Sequence, residues 1–150
     1  MVTRGDKEKI LSWLRDYFEK KEEVLMAFLF GSWAKNLEVI ESDMDIAVFF
    51  KPGTGVLESH GTESYYEIEK QIWAEIEKIA GIEVDLLVLN RASATVADSA
   101  LRGIPLVIKD RNCYMDFLLK TTSEAIDFRE WVEGYWRLKA KRRYEALARG

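Results

Sequence analysis

The sequence has 150 residues, 48% of them hydrophobic and 12% aromatic, so it can form one packed core and is expected to fold as a single domain over residues 1–150. The formal net charge of −4 argues against direct nucleic-acid binding, because domains of that kind are usually basic. The lone Cys113 excludes an internal disulfide and a Cys-based zinc site.

The first predicted elements alternate between helices and buried strands. The spacing of apolar residues predicts a helix over 6–22. Val24–Phe30 is a continuous apolar run ended by a glycine, which is typical of a buried strand, and Ser32–Leu37 is predicted as a short helical turn. Met44–Phe50 is a second strand of the same kind, closed by the turn residues Lys51–Gly55.

A second helix and a third strand follow. Ser64 and Glu67 have the spacing of a capping box, which predicts the start of a helix that ends at Gly81. Ile82–Leu89 is then predicted as a strand.

The remaining sequence is mainly helical. Ser93 is predicted to cap a helix that runs to about Arg102, and Leu106–Ile108 follows as a short edge strand. From Asn112 onward the sequence is helical, with a candidate break at Thr121–Ser123 and another around Gly134 (both from the local residue types).

The order α-β-α-β-α-β-α-β-α predicts an α/β or α+β sandwich. The strands Met44–Phe50 and Ile82–Leu89 are apolar on both alternating faces, so both are expected in the middle of a sheet that is covered on both sides. No segment predicts membrane insertion, since the longest apolar run, Val24–Ala34, is well short of the ~20 residues that a membrane helix needs. The charged N-terminus lacks the apolar stretch of a signal peptide, so a cytoplasmic location is expected.

Three aspartates occur where central strands should be apolar. Asp43 and Asp45 lie at the start of the second strand and Asp85 lies within the third. Residues i and i+2 of a strand point to the same side, so Asp43 and Asp45 share a face, and Asp85 reaches it if the third strand lies beside the second. Because clustered carboxylates repel one another, they call for a cation, and oxygen ligands without His or Cys favour Mg²⁺ or Mn²⁺.

The turn at Gly31 and Ser32 adds an anion-binding element. Gly31 lets the backbone approach a ligand closely, and the hydroxyl and free N–H groups that follow at Ser32 can hold phosphate oxygens. A carboxylate-bound cation beside such a turn is the arrangement that phosphoryl-type transfer requires.

With these residues the sequence resembles a known family. The patterns Gly31-Ser32-x-Ala34 and Ser42-Asp43-x-Asp45, with a third aspartate at Asp85, are similar to the nucleotidyltransferase superfamily of DNA polymerase beta. More narrowly, the chain resembles the minimal nucleotidyltransferases, often called MntA. The resemblance covers nearly the whole chain.

The resemblance implies a mixed sheet of about four strands flanked by helices, with a helical C-terminus. It implies that Asp43 and Asp45 bind Mg²⁺, that Asp85 completes the metal site and helps to deprotonate the acceptor, and that Gly31 and Ser32 contact the nucleoside triphosphate. The reaction would transfer AMP from ATP to a hydroxyl of a partner. Relatives often act as antitoxins that attach AMP to a tyrosine of a HEPN-type ribonuclease toxin.

One position departs from the family pattern. Many relatives have Arg-Gly where this chain has Lys35-Asn36. Lys35 keeps the positive charge for nucleotide binding but lacks the two-pronged hydrogen bonding of arginine.

Other functions stay open. The chain could be a catalytically idle antitoxin that masks a HEPN ribonuclease, or a small-molecule nucleotidyltransferase of the aminoglycoside-modifying type. Homo- or hetero-oligomers fit either function. A polymerase is disfavoured by the acidic charge, and the only histidine, His60, is interpreted as a solvated loop residue.

The C-terminal region is rich in aromatic and basic residues. Core packing is expected for its aromatic residues, with a partner-binding face as the alternative; they are Phe117, Phe128, Trp131, Tyr135 and Trp136. The basic tail is interpreted as a solvated helix end, with a docking surface for an acidic partner or RNA as the alternative. Over the whole chain, 32% charged residues with only three Asn and one Gln are typical of a thermophile.

Overall fold

A computed structural model describes residues 4–35, 43–57 and 63–149 of the chain. In chain order the helices and strands are α1 (Arg4–Lys20), β1 (Val24–Phe30), β2 (Met44–Phe50), β3 (Val56–Leu57), β4 (Glu63–Ser64), α2 (Tyr66–Ala80), β5 (Val84–Val88), α3 (Ala94–Leu101), β6 (Ile104–Ile108) and α4 (Arg111–Arg149). A 3₁₀ turn over Leu89–Arg91 joins β5 to α3.

Four strands form one mixed sheet in the order β5-β2-β1-β6. β1 runs antiparallel to both of its neighbours, and β2 runs parallel to β5. The end of β1 and the starts of β2, β5 and β6 therefore lie at the same edge of the sheet. The amide of Asn90 extends the pairing at the opposite edge, because it accepts from the Phe50 N–H at 2.9 Å and donates to the Phe50 carbonyl at 3.0 Å.

Helices cover the two faces of this sheet unequally. One face packs against α1 and α2, whose Leu14, Phe18, Ile72 and Ile76 are fully buried. The other face packs against α3 and the first third of α4 in a smaller cluster. A chain of this length thus buries both faces of a four-stranded sheet, and the mixed sheet with flanking helices and a helical C-terminus confirms the predicted fold class.

The predicted bounds of β1 and β2 match the structure. β5 is shorter than predicted and is an outermost strand of the sheet. The expectation that β5 would be central is wrong. Its apolar residues on both faces reflect helix cover, since Leu86 packs with the α1 and α2 cluster and Leu87 with the α3 and α4 cluster.

Two of the three helix-capping signals in the sequence are confirmed. Ser93 caps α3 by accepting from the Val96 N–H, and Gly81 ends α2 in the left-handed conformation with φ 68°. The capping box at Ser64 is wrong: Ser64 pairs with Val56 in the β3–β4 hairpin, and the N-cap of α2 is Tyr65, which makes no side-chain capping bond.

α4 is one unbroken helix of 39 residues, so the predicted breaks are wrong. Thr121 is buried against the body of the protein, and Gly134 continues the helix at a modest cost of about 1 kcal/mol. The predicted helix at Ser32–Leu37 is, within the described residues 31–35, a single turn closed by the Lys35 N–H and the Gly31 carbonyl at 3.3 Å. No helix in the described ranges is long and apolar enough to cross a membrane.

Candidate active site

The register of β2 and β5 brings two aspartates together at one edge of the sheet. Asp45 pairs directly with Asp85, so their α-carbons are separated by the ~4.8 Å that divides neighbouring strands. Asp43 directly precedes β2 and lies near enough to Asp45 to raise its pKa. The adjacency of the two strands is thereby confirmed, and Asp45 and Asp85 belong to the face that α3 and α4 cover, since Ala47 and Leu87 pack there two residues further along each strand.

The three carboxylates differ in their surroundings. Asp45 is half-buried, whereas Asp43 and Asp85 are exposed. Burial raises the pKa of Asp45 above its ordinary value of 3.8, and the negative charges of Asp85 and then Asp43 raise this pKa further. The site therefore holds one half-buried carboxylate close to two exposed carboxylates, and their combined negative charge would stabilise a bound cation.

Gly31 lies in contact with the Asp45 carboxylate. Phe30, the last residue of β1, pairs with Asp45, so the chain turns at Gly31 directly beside the carboxylate. Gly31 has φ 72°, and a Cβ added there would stand only 2.1 Å from Oδ2 of Asp45. The position thus requires glycine for two independent reasons, backbone conformation and space.

The turn after Gly31 is anchored from both sides. Trp33 is 2% exposed and packs into the cluster beneath α1, while Ser32 stays half-buried at the edge. The buried Lys7 donates its ammonium to the Trp33 carbonyl and also lies over the Trp33 ring, 5.9 Å from the ring centre. We call the end of the sheet that carries Asp43, Asp45 and Asp85 the carboxylate edge. Because the residues on either side of Ser32 are fixed, Ser32 is held beside this edge.

A small cleft of about 130 Å³ adjoins the turn on the same face of the sheet. It is formed where the end of α3 and the start of β6 meet β1, since an added Cβ on Gly103 would lie 2.2 Å from the Leu29 carbonyl oxygen. Its polar lining residues are Lys35, Ser99 and Arg102. Such a volume accommodates a phosphate group rather than a whole nucleotide, for which several hundred Å³ are usual.

The donor set fits a divalent metal by its chemistry. Asp43, Asp45 and Asp85 offer only carboxylate oxygens, which Mg²⁺ and Mn²⁺ prefer. Among the described residues, however, no three acidic, His or Cys side chains meet closely enough to form a ready-made ligand shell. The negative charges of Asp85 and Asp43 are nevertheless near enough to raise the pKa of Asp45.

Ser99 and Arg102 are the residues that sequence reasoning missed. Ser99 lies in α3 and Arg102 directly follows it, far along the chain from Gly31, and both approach Gly31 only because β6 pairs with β1. Arg102 is already held in place by Asp98, with 3.2 Å between its Nε and Oδ2 of Asp98. No local sequence pattern predicts that β6 pairs with β1. Asn36, Ser42 and His60 lie outside the described residues.

The sequence and fold together define the class of protein. A family model for polymerase beta nucleotidyltransferases matches residues 13–112, which is most of the chain. The chain therefore belongs to the polymerase beta nucleotidyltransferase family, and the predicted superfamily is confirmed. A comparison with curated proteins finds no match.

Solved structures share the fold over nearly the whole chain. A toxin–antitoxin structure with AMP-PNP has 21% identity and a TM-score of 0.54, covering 92% of this chain and 93% of the other. A variant of the MntA-HpeT toxin–antitoxin has 20% identity and a TM-score of 0.52 with the same two coverages. A protein of Shewanella oneidensis has 19% identity and a TM-score of 0.50, covering 91% of this chain and 92% of the other.

Proposed function

We propose that this protein transfers AMP from ATP to a tyrosine hydroxyl of a HEPN-type toxin and so acts as the antitoxin of the pair. The observation that carries the proposal is the pairing of Asp45 with Asp85 beside the Gly31 turn. Support comes from membership of the nucleotidyltransferase family and from the fold shared with toxin–antitoxin structures, one of them with the ATP analogue AMP-PNP. Residues 1–150 would act as one nucleotidyltransferase domain.

The carboxylate edge provides the reacting groups. Asp43 and Asp45 would hold Mg²⁺, or Mn²⁺, and Asp85 would complete the set from the neighbouring strand. When bound, the metal would neutralise triphosphate charge and align the reacting oxygens. Ser32 and the backbone N–H groups of the Gly31 turn would hold phosphate oxygens, and Lys35 would add a positive charge at the mouth of the adjoining cleft.

The proposed step is an in-line displacement at phosphorus. The tyrosine oxygen attacks the α-phosphorus of ATP, and the bond from that phosphorus to the oxygen bridging the α- and β-phosphates breaks. AMP remains as an ester on the tyrosine, and pyrophosphate leaves. Asp85 accepts the hydroxyl proton and passes it to solvent, a role that suits its exposed position beside the half-buried Asp45.

A transfer assay with labelled ATP, Mg²⁺ and a HEPN-type toxin tests this function. We expect the wild-type protein to label the toxin and to release pyrophosphate in equal amount. The double variant Asp43→Asn, Asp45→Asn should lose at least ~1,000-fold of the rate, since it removes the charges that would hold the metal. Asp116→Asn, an exposed aspartate on α4, is the matched control and should retain the wild-type rate.

The same variant separates transfer from simple binding. If the double variant neutralises the toxin as well as wild type does, the protein is an idle binding module. If wild type binds the toxin tightly and labels nothing, transfer to that partner is rejected. Labelling of an aminoglycoside-type small molecule in place of the toxin would identify a small-molecule transferase.

A further inference from the structure

Among the described residues, no other helix or strand covers the outer half of α4, residues 126–149. Its residues are exposed apart from the half-buried Val132, whereas the first part of the helix packs on the body through residues such as Phe117 and Thr121. The exposed segment is about 36 Å long at 1.5 Å per residue. Because most helical stability in proteins comes from tertiary packing of an apolar face, a covering partner would stabilise this segment.

The outer half of α4 presents an apolar stripe at coiled-coil spacing. Phe128, Trp131, Tyr135 and Leu138 recur at intervals of three, four and three residues, and each has about half or more of its side chain exposed. We call these four residues the C-terminal stripe. The rings of Trp131 and Tyr135 stack at 6.1 Å, and Phe128 stacks on Trp131 at 6.4 Å. The prediction that these aromatic residues pack in the core is therefore wrong, although it holds for Phe117, whose ring lies 5.1 Å from that of Phe49.

Charge is divided by sign along this segment and the two residues before it. Residues 124–133 contain four carboxylates and one basic side chain, and residues 137–149 contain six basic side chains and one carboxylate. The stripe spans the boundary between the two parts. A helix with one acidic end and one basic end is complementary to a second copy of itself in the antiparallel orientation, whereas a parallel copy would place like charges together.

We infer that the outer half of α4 pairs in antiparallel orientation with the same segment of a second copy of this chain. Centred near residue 133, the pair places Trp131 of each copy against Tyr135 of the other and Phe128 against Leu138. The same alignment places Glu124 opposite Arg142 at each end. Gly134 lies at the crossing, where nothing within 4 Å surrounds its Cβ position in the single chain, so the two backbones can approach closely.

The available apolar surface is large enough for a specific contact. Six half-exposed rings in the pair would bury on the order of 600 Å², since a buried aromatic side chain covers roughly 150–250 Å². The leucines, the methylene groups of the flanking lysines and arginines, and the charged ends add to this. The total approaches the ~1,000 Å² that distinguishes specific interfaces from incidental contacts.

Sedimentation equilibrium of the full-length protein alone tests the inference. Wild type is expected to form a dimer of twice the 17.4 kDa chain mass at micromolar concentrations. The variant Trp131→Ala, Tyr135→Ala should remain a monomer while keeping its helical circular dichroism. A wild-type protein that stays monomeric up to ~200 μM, well above the dissociation constants of specific complexes, would overturn the inference.

Charge reversal then identifies the partner and the orientation. The variants Glu124→Lys, Asp127→Lys and Lys141→Glu, Arg142→Glu should each weaken the dimer at least ~10-fold, because each places like charges together. An equimolar mixture of the two variants should restore dimerisation as a heterodimer. The matched control Glu130→Lys, Glu133→Lys makes the same charge change away from the stripe and should stay within ~3-fold of wild type.

The outcomes of this experiment are decisive. Failure of the mixture to dimerise, or dimers of wild-type strength in both separate variants, would overturn antiparallel pairing. Association only after a HEPN-type toxin is added would assign the stripe to that protein and would equally overturn the inference. Neither outcome bears on AMP transfer, for which we propose the carboxylates at the start of β2 and β5 rather than the C-terminal stripe.

Discussion

The carboxylate edge of the sheet and the outer half of α4 differ in what fixes their side chains. At the edge, the pairing of Asp45 with Asp85 and the contact with Gly31 define positions within one chain. In the outer half of α4, the helix sets only the direction of each side chain, and no neighbouring element within the described residues covers it. The first region has the rigidity that chemistry requires, and the second has the exposed surface that association requires.

Among single substitutions, the largest effect is expected at Gly31, which keeps the Asp45 carboxylate in place. Gly31→Ala should reduce AMP transfer at least ~100-fold, because its Cβ would displace the Asp45 carboxylate by about an ångström or more. The substitution should also cost about 1–2 kcal/mol of stability, since alanine is strained at positive φ. Transfer kinetics and urea unfolding measure the two effects separately.

Gly81→Ala is the matched control for this variant. Gly81 has nearly the same backbone conformation, with φ 68°, but an added Cβ there meets nothing within 4 Å. It should lose the same stability and keep wild-type transfer. Equal losses of activity in the two variants would show that backbone strain, rather than displacement of Asp45, causes the effect.

A smaller effect on stability is expected at Asp45. Asp45→Asn should raise the free energy of unfolding at neutral pH in buffer that contains EDTA, because it removes a charge that burial and the neighbours Asp85 and Asp43 destabilise. The side chain is partly exposed, so solvent screening limits the gain to about 1 kcal/mol or less. Urea unfolding with and without Mg²⁺ measures it, and Mg²⁺ should stabilise wild type more than the variant.

The raised pKa of Asp45 also sets the sign of a pH effect. A carboxyl group whose pKa rises on folding holds its proton more tightly in the folded state than in the unfolded state. Wild type should therefore lose stability relative to Asp45→Asn as the pH rises from 3.8, the ordinary value, through the raised folded-state pKa. A difference between the two proteins that does not change with pH would contradict the electrostatic origin.

The smallest effect is expected at Lys35. Lys35→Ala should raise the KM for ATP about 5-fold with little change in kcat, because one exposed cation contributes about 1 kcal/mol to phosphate binding. Steady-state kinetics at several ATP concentrations measure it, with the exposed Lys120→Ala as control. A fall in kcat with an unchanged KM would show that Lys35 stabilises the transition state rather than bound ATP.

Local sequence patterns predicted the carboxylate edge because its geometry is built from strands. Two apolar runs predicted the bounds of β1 and β2, and the two-residue alternation of a strand predicted that Asp43 and Asp45 point to one side. The position of Asp85 depended on which strands are neighbours, and the pairing of β5 with β2 confirms that assumption.

The errors have a common physical cause, since each depends on which other parts of the chain a residue contacts, and its own helix or strand pattern does not determine that. The capping pattern at Ser64 was overridden by pairing with Val56, and the cleft beside Gly31 arises only from the pairing of β6 with β1. In α4, composition predicted a helix but could not show that Phe128 and Trp131 extend beyond the body. Tertiary packing, which periodicity does not report, decided all of these.

Mn²⁺ binding, followed by electron paramagnetic resonance, tests whether Asp43, Asp45 and Asp85 form a divalent cation site. Wild type should bind Mn²⁺ in the presence of a non-hydrolysable ATP analogue, beyond the amount that the analogue binds alone. The variant Asp43→Asn, Asp45→Asn should lose this binding and keep its fold, and Asp116→Asn should retain both. Equal Mn²⁺ binding by wild type and the folded double variant would show that Asp43 and Asp45 do not bind the metal.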